Sequence, residues 1–281
     1  CTNESVQAVG PIDQINDPNA TPVGSNIVDI VMDDDIVNDC DESGASGGTN
    51  FADCENISAN IVGFDNGITE GIDQSNDVDA SDTSNANFAQ DNTVDTFQRI
   101  DLLNSCDEMQ LDGASFCANG FFDGNDNFPV GNFIGPLAQT NDLLAENPLQ
   151  PQINNLAASQ IAAAQNDCDE SGSGDTFVFC SNGDTRAFNS LSILGLQQVN
   201  EGTTDNAVQT NNVTSLQSFE LENDCNEWDD GDNSAFCDID PSNDVGPIDQ
   251  LNEVGVGVDS NAATIFQNNE IDGDGASDTP G

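Results

Sequence analysis

The sequence predicts an all-β protein, a tandem-repeat β-solenoid or an array of stacked β-arches, with about 60 residues per repeat and disulfide-stapled loops. Three observations lead there. Segments beginning at Asn26, Asn92, Asn154, Asn211 and Asn261 align over 16 positions without a gap. Within each, apolar residues fall at every second position, which is the period of a strand. Cysteines follow four of the five at a fixed distance, in the frames NDCDE, NSCDE, NDCDE and NDCNE.

Each block reads approximately Asn-x-Φ-x-x-x-Gln, with Φ apolar, and is preceded by a second pattern ending in Gln-x-Asn. The Gln of that second pattern stands at Gln14, Gln74, Gln139, Gln198 and Gln250, with spacings of 52 to 65 residues. The chain accordingly divides into an N-terminal extension (1–8), repeats at 9–62, 63–130, 131–190 and 191–244, and a truncated fifth repeat at 245–281.

The first repeat opens on the octamer VGPIDQIN (Val9–Asn16), and Val28, Ile30, Met32 and Ile36 share one face of its strand. In the second, Val94, Ile100 and Leu102 share a face with Thr96 and Gln98. The third, Leu156 to Gln165, is rich in alanine and has helical propensity in isolation, but its register matches the others and predicts a strand. Val213, Phe219 and Leu221 line the fourth with Ser215 and Gln217. The fifth carries Ala263, Ile265, Gln267 and Ile271, after an octamer VGPIDQLN (Val245–Asn252) almost identical to the first.

Gln98, Gln160, Gln217 and Gln267 fall on the same face as the aliphatics, and Met32 takes that position in the first copy. A buried amide without partners costs roughly 1–3 kcal/mol. Amides stacked at one position in successive rungs bond to one another along the stack. The fixed phase therefore predicts ladders of Asn26, Asn92, Asn154, Asn211 and Asn261, of Gln98, Gln160, Gln217 and Gln267, and of Gln14, Gln74, Gln139, Gln198 and Gln250. The competing reading is a set of surface polar residues in a chain generally rich in Asn and Gln.

Eight of the nine cysteines form local pairs: Cys40/Cys54, Cys106/Cys117, Cys168/Cys180 and Cys225/Cys237. The fifth repeat has Gly275 in place of the first cysteine and lacks the second as well. Joint loss is what bonding within a repeat predicts, and closing such a loop constrains the chain by roughly 3 kcal/mol. Bonding between equivalent cysteines of adjacent rungs is the alternative, since strand spacing is close to the permitted Cα separation. Persistent disulfides place the protein outside the cytosol, in the extracellular space or at the cell surface. Cys1 is left over; it suits a lipid-modified terminus, an inter-subunit disulfide or a free thiol, and an opening at Cys rather than Met leads one to expect a processed leader.

The charge is extreme: 52 acidic residues against Arg99 and Arg186, with no Lys and no His. Nucleic acid is excluded as a partner because phosphate binding needs a basic footprint. Separate chains repel, so a compact or assembled state needs salt, divalent cations or acid. A disordered acidic chain would have no reason to keep apolar residues in phase across five copies. No apolar run approaches the roughly 20 residues of a membrane-spanning helix.

Alternating oxygen ligands resembling the start of a calcium loop occur at Asp39 and Asp41 with Gly44, at Asp167 and Asp169 with Gly172, and at Asp272 and Asp274. None has the downstream Glu of a full EF-hand loop, and solvated acidic turns are the alternative. Bound Ca2+ would be structural. Glycosylation acceptor patterns stand at Asn3, Asn19, Asn56 and Asn212. No His means no Ser/His or Cys/His nucleophile pair, and nothing singles out a catalytic carboxylate pair, so no enzyme is expected.

The runs Gln90-x-Asn92-x-Val94-x-x-x-Gln98, Gln152-x-Asn154-x-Leu156-x-x-x-Gln160 and Gln209-x-Asn211-x-Val213-x-x-x-Gln217 resemble curlin repeats and related bacterial functional amyloids. The repeat here is more than twice as long, holds cysteine pairs, is far more acidic and lacks Tyr. The resemblance implies a secreted fibre built from tandem β-arches with Asn/Gln ladders. With open edges at both ends, the expectation is a structural subunit that polymerises with copies of itself into a matrix, sheath or appendage. The alternative is a calcium-stabilised monomeric adhesin or binding module at the cell surface.

Overall fold

The computed structural model describes residues 2–16, 23–39, 50–62, 64–65, 68–69, 71–80, 89–105, 113–119, 131–145, 151–167, 177–189, 196–202, 205–225, 234–245, 248–253 and 256–275. The described chain is all-β. It begins with β1 (Thr2–Val9), β2 (Ile12–Asn16) and β3 (Val23–Asp39), each of which lies at the edge of a different sheet.

β4 (Asn50–Val62) returns to pair with β1, and after a short antiparallel pair, β5 (Phe64–Asp65) with β6 (Ile68–Thr69), β7 (Ile72–Ala80) pairs with β2 and β8 (Ala89–Ser105) with β3. The same itinerary recurs through β9 (Gly113–Asn119) and β10 (Gly131–Ile134), β11 (Leu137–Ala145) and β12 (Pro151–Asp167). It continues through β13 (Phe177–Asn189), β14 (Leu196–Gly202) and β15 (Asp205–Cys225), and ends with β16 (Ser234–Val245), β17 (Ile248–Glu253) and β18 (Val256–Gly275). The three large sheets run β1-β4-β10-β13-β16, β2-β7-β11-β14-β17 and β3-β8-β12-β15-β18, and every pairing within them is parallel; β9 joins the first by pairing with β4 and β13.

Side-chain alternation explains which face turns inward. Along β8 the buried residues are Gln90, Asn92, Val94, Thr96, Gln98, Ile100, Leu102 and Asn104, with the residues between them more exposed. β12 repeats the pattern and is a strand despite its alanines. Its small residues have a packing role: Ala162 lies beside Ile100 and Ala164 beside Leu102, so small side chains of β12 pack against large ones of β8. A second cluster gathers Val28, Val94, Leu156 and Val213 with Ile72, Leu137 and Leu196 across the interior. Each such side chain contributes roughly 1.5–3 kcal/mol of transfer free energy.

The first and second sheets meet at a corner where hydrogen bonding is unbroken. Ile12 N–H donates to Gly71 O at 3.1 Å, Ile72 N–H to Pro136 O at 2.8 Å, and Gly135 N–H to Val62 O at 2.8 Å. Thr2–Val9 is paired in register with Glu55–Val62, so its backbone groups belong to the first sheet.

Candidate functional site

The distinctive chemistry lies in the interior, where like residues face like across adjacent strands. Asn26, Asn92, Asn154, Asn211 and Asn261 occupy one register position of the third sheet. Each Nδ2 donates to the Oδ1 of the next, at 3.0, 3.0, 2.9 and 3.1 Å in chain order. A parallel column of Asn16, Asn76, Asn141, Asn200 and Asn252 in the second sheet does the same at 3.1, 2.9, 2.9 and 2.9 Å. The two columns interlock, as in Asn76 donating to Asn92 at 2.9 Å and Asn92 to Asn141 at 3.0 Å.

The glutamine columns run the opposite way. Gln74, Gln139, Gln198 and Gln250 each donate through Nε2 to the Oε1 of the preceding member, beginning at Gln14, at 2.9, 2.9, 2.8 and 2.8 Å. Gln160 donates to Gln98, Gln217 to Gln160 and Gln267 to Gln217 at 2.8, 3.1 and 2.8 Å. Gln98 itself reaches the Met32 sulfur at 3.9 Å. In these columns the Asn amides thus donate toward the C-terminal edge and the Gln amides toward the N-terminal edge.

Burial is near complete in the middle and fails at one end. Asn154 and Asn211 are sealed from water, whereas Asn261, Ala263, Ile265 and Gln267 on β18 are exposed. On β3, at the opposite edge, Asn26, Val28, Ile30 and Met32 remain buried. Asp34 shares that inner face and is held by Ser58 Oγ at 2.7 Å, Ser5 Oγ at 3.1 Å and Gln7 Nε2. Three donors from β1 and β4 supply what a buried carboxylate requires.

Amide columns that the sequence reading did not assign to a ladder include Gln90, Gln152 and Gln209, linked at 2.9 and 2.7 Å, and Asn60 with Asn132 at 3.1 Å. Asn56, Asn104, Asn119 and Asn166 form a further network. Their signal was present as Gln-x-Asn and Asn-x-Cys spacings. Asn56 is fully buried and donates to Leu103 O, which removes it as a glycan acceptor in the folded chain.

The second cysteine of each pair stands at one register position: Cys54, Cys117, Cys180 and Cys237 are neighbours across the first sheet. Cys225 pairs with Gly275 in the third. Cys1, Cys40, Cys106 and Cys168 lie outside the described residues, as do Asp41 and Asp169. Asp39 and Asp167 lie at the ends of β3 and β12, and Asp272 and Asp274 in β18. Asp167 and Asp274 fall at one register position, on either side of Asp224. Among the described residues no group of three or more His, Cys, Asp or Glu is positioned to hold a metal ion.

The outer face carries the charge. Asp77, Asp142, Glu201 and Glu253 are successive neighbours across the second sheet, as are Asp13 and Asp73. Partial burial, and then the charge of Asp13, raises the Asp73 carboxyl above its ordinary value; burial and Asp77 do the same to Asp142. Arg99 pairs with Asp101 at 2.9 Å, an exposed contact worth about 0–1 kcal/mol. Among the described residues no helix is long and apolar enough to cross a membrane. Comparison with protein-family models, curated proteins and solved structures finds no match.

Proposed function

We propose that the chain is a five-coil β-solenoid that stacks head to tail into extracellular fibrils, serving as a structural subunit of a matrix, sheath or appendage. The observation that carries this reading is that like-on-like columns run the length of the array and stop at unpaired edges. Among the described residues β1, β2 and β3 have neighbours on one side only, as do β16, β17 and β18. The two edges bear nearly the same sequence, IDQIN on β2 and IDQLN on β17. Unpaired parallel edges template further strands, and a contact between different ends of identical subunits grows without closing. The resemblance of the Gln-x-Asn runs to curlin repeats supports the same conclusion.

Disulfide staples fit this architecture. Asn104 Nδ2 bonds Asn119 Oδ1 at 3.0 Å, joining the end of β8 to β9. Cys106 follows Asn104 by two residues and Cys117 precedes Asn119 by two, so both keep the phase of the bonded pair. Asn38, which donates to Glu55 O at 2.9 Å, stands likewise two residues before Cys40, and Cys54 two before Asn56. Pairing within each coil would close the mouth of each arch, and the bonds would hold in an oxidising extracellular setting.

Charge sets the condition for assembly. Carboxylates one strand apart, at about 4.8 Å, repel by about 0.9 kcal/mol per pair even at the dielectric of water. Growth is therefore favoured by calcium, high ionic strength or acid. Negative-stain microscopy and light scattering across those three variables test the reading. Filaments appearing as repulsion is screened are expected; a monodisperse monomer under every condition overturns it.

A further inference from the structure

We infer that the joint between subunits has one polarity and one register, fixed by the amide columns, and that Met32 is a fault in it; this rests on the fibril reading above. Hydrogen-bond accounting at the two ends carries the argument. Inside the stack, each glutamine of the second sheet donates both to the preceding glutamine and to backbone carbonyl oxygen. Gln74, for example, donates to Gln14 Oε1 at 2.9 Å and Thr93 O at 3.2 Å. Among the described residues Gln14 makes only the second kind, to Ile27 O at 3.3 Å. Among the described residues one N–H of Gln14 therefore has no acceptor at the N-terminal edge. At the other edge, Gln250 spends both its donors, on Gln198 Oε1 and Ala262 O. Among the described residues nothing donates to its Oε1, which is the atom that Gln14 of a following copy would meet.

The asparagines are complementary in the opposite sense. Asn76 Oδ1 accepts from Asn16 at 3.1 Å and Asn26 at 3.2 Å, both one strand toward the N-terminus. Among the described residues Asn16 Oδ1 accepts nothing. The donors that would fill it are Asn252 and Asn261 of a preceding copy, which among the described residues of a single chain donate within their own turn, to Ser260 O, Asn261 Oδ1 and Gln250 O. The C-terminal edge thus offers Asn donors and a Gln acceptor, and the N-terminal edge offers the converse. A two-fold joint would turn the facing strands antiparallel and take the columns out of register; the head-to-tail joint keeps them in register and satisfies every one of these groups.

The Gln98 column does not continue. In the same register, Gln267 of one copy meets Met32 of the next, and a thioether has no proton for the Gln267 carbonyl. Exposed in the free chain, that oxygen would be covered and unpaired in the joint. Met32→Gln supplies the missing donor and leaves an acceptor for Gln98 in place of the sulfur.

The test is the critical concentration for filament growth of the wild type and of Met32→Gln, both confirmed as folded by circular dichroism and urea titration. A fall of about tenfold is expected, the equivalent of about 1.4 kcal/mol per joint. Wild-type filaments with no fall, or with a rise, overturn the proposed register. Absence of wild-type filaments overturns the fibril reading instead. Cryo-microscopy of the wild-type filament gives an answer that does not depend on the variant: β17 beside β2 of the next copy is expected, and a two-fold joint refutes the inference.

Discussion

A Cβ added to Gly71 would lie 1.9 Å from the carbonyl oxygen of Pro136, the same oxygen that accepts the Ile72 N–H at 2.8 Å. Gly71 has φ of +79° and stands at the corner position that Pro136 takes in the neighbouring turn. The close approach and the left-handed backbone both demand glycine. Gly71→Ala should cost about 2–4 kcal/mol by strain and displacement of the corner. Gly10→Ala, where a Cβ meets nothing within 4 Å, should change stability by less than about 0.5 kcal/mol. Urea midpoints of the two variants check the contrast, and equal losses would mean that the corner is not close-packed.

Position along the ladder should decide the energy of an asparagine. Asn154 donates to Val199 O, Asn200 Oδ1 and Asn211 Oδ1, and accepts from Asn92 and Asn141, all at 2.9–3.0 Å. Asn154→Ala removes both halves of this arrangement from a site closed to water and should cost about 3 kcal/mol. Asn261→Ala, on the exposed final strand, should cost under about 1 kcal/mol, because water replaces the lost partner. Denaturant unfolding of the monomer measures both; similar values would show that the columns contribute by propensity and not by bonding.

A ladder that stops one rung early offers a gain. Gln209 donates to Gln152 Oε1 at 2.7 Å, while its own Oε1 is buried and has no partner among the described residues. Its neighbour in β18 is Asp259, which when ionised has no proton to give. Asp259→Gln extends the column and should stabilise the chain by about 1 kcal/mol. Asp259→Ala separates this from simple charge removal: the Gln variant should exceed it, and parity would rule out the bond.

How much could be read beforehand depended on where period two survives. Along β8 and β12 alternation is unbroken, so Gln98, Gln160 and their apolar neighbours could be assigned to one face from sequence. In β4, Ser58 through Val62 are buried consecutively at the approach to the corner, and alternation gives no purchase there. Asn60 was missed for that reason; Asn104 and Asn166 of the Asn56 network lie instead on the alternating strands β8 and β12. Asp34 was hidden differently: it sits between Met32 and Ile36 in phase with the core, and the donors that make it tolerable come from β1 and β4. Three sheets in place of a simple hairpin follow from the corner bonds of Gly71 and Pro136, which join segments about 60 residues apart.

Acid should strengthen the fold through two outer-face carboxyls. Asp73 and Asp142 have folded-state values raised above 3.8, first by partial burial and then by Asp13 and Asp77 on the neighbouring strands. A raised carboxyl binds its proton more readily folded than unfolded, so stability falls as pH rises from 3.8 through the folded value. The penalty is complete above that window and absent below it. Both groups keep much of their water, so a gentle slope is expected and not a transition. Lowering pH from 7 to about 4 should raise the wild-type urea midpoint more than that of Asp73→Asn/Asp142→Asn, which should already be the more stable at pH 7. Equal pH responses in the two proteins would remove these carboxyls from any account of acid-favoured assembly.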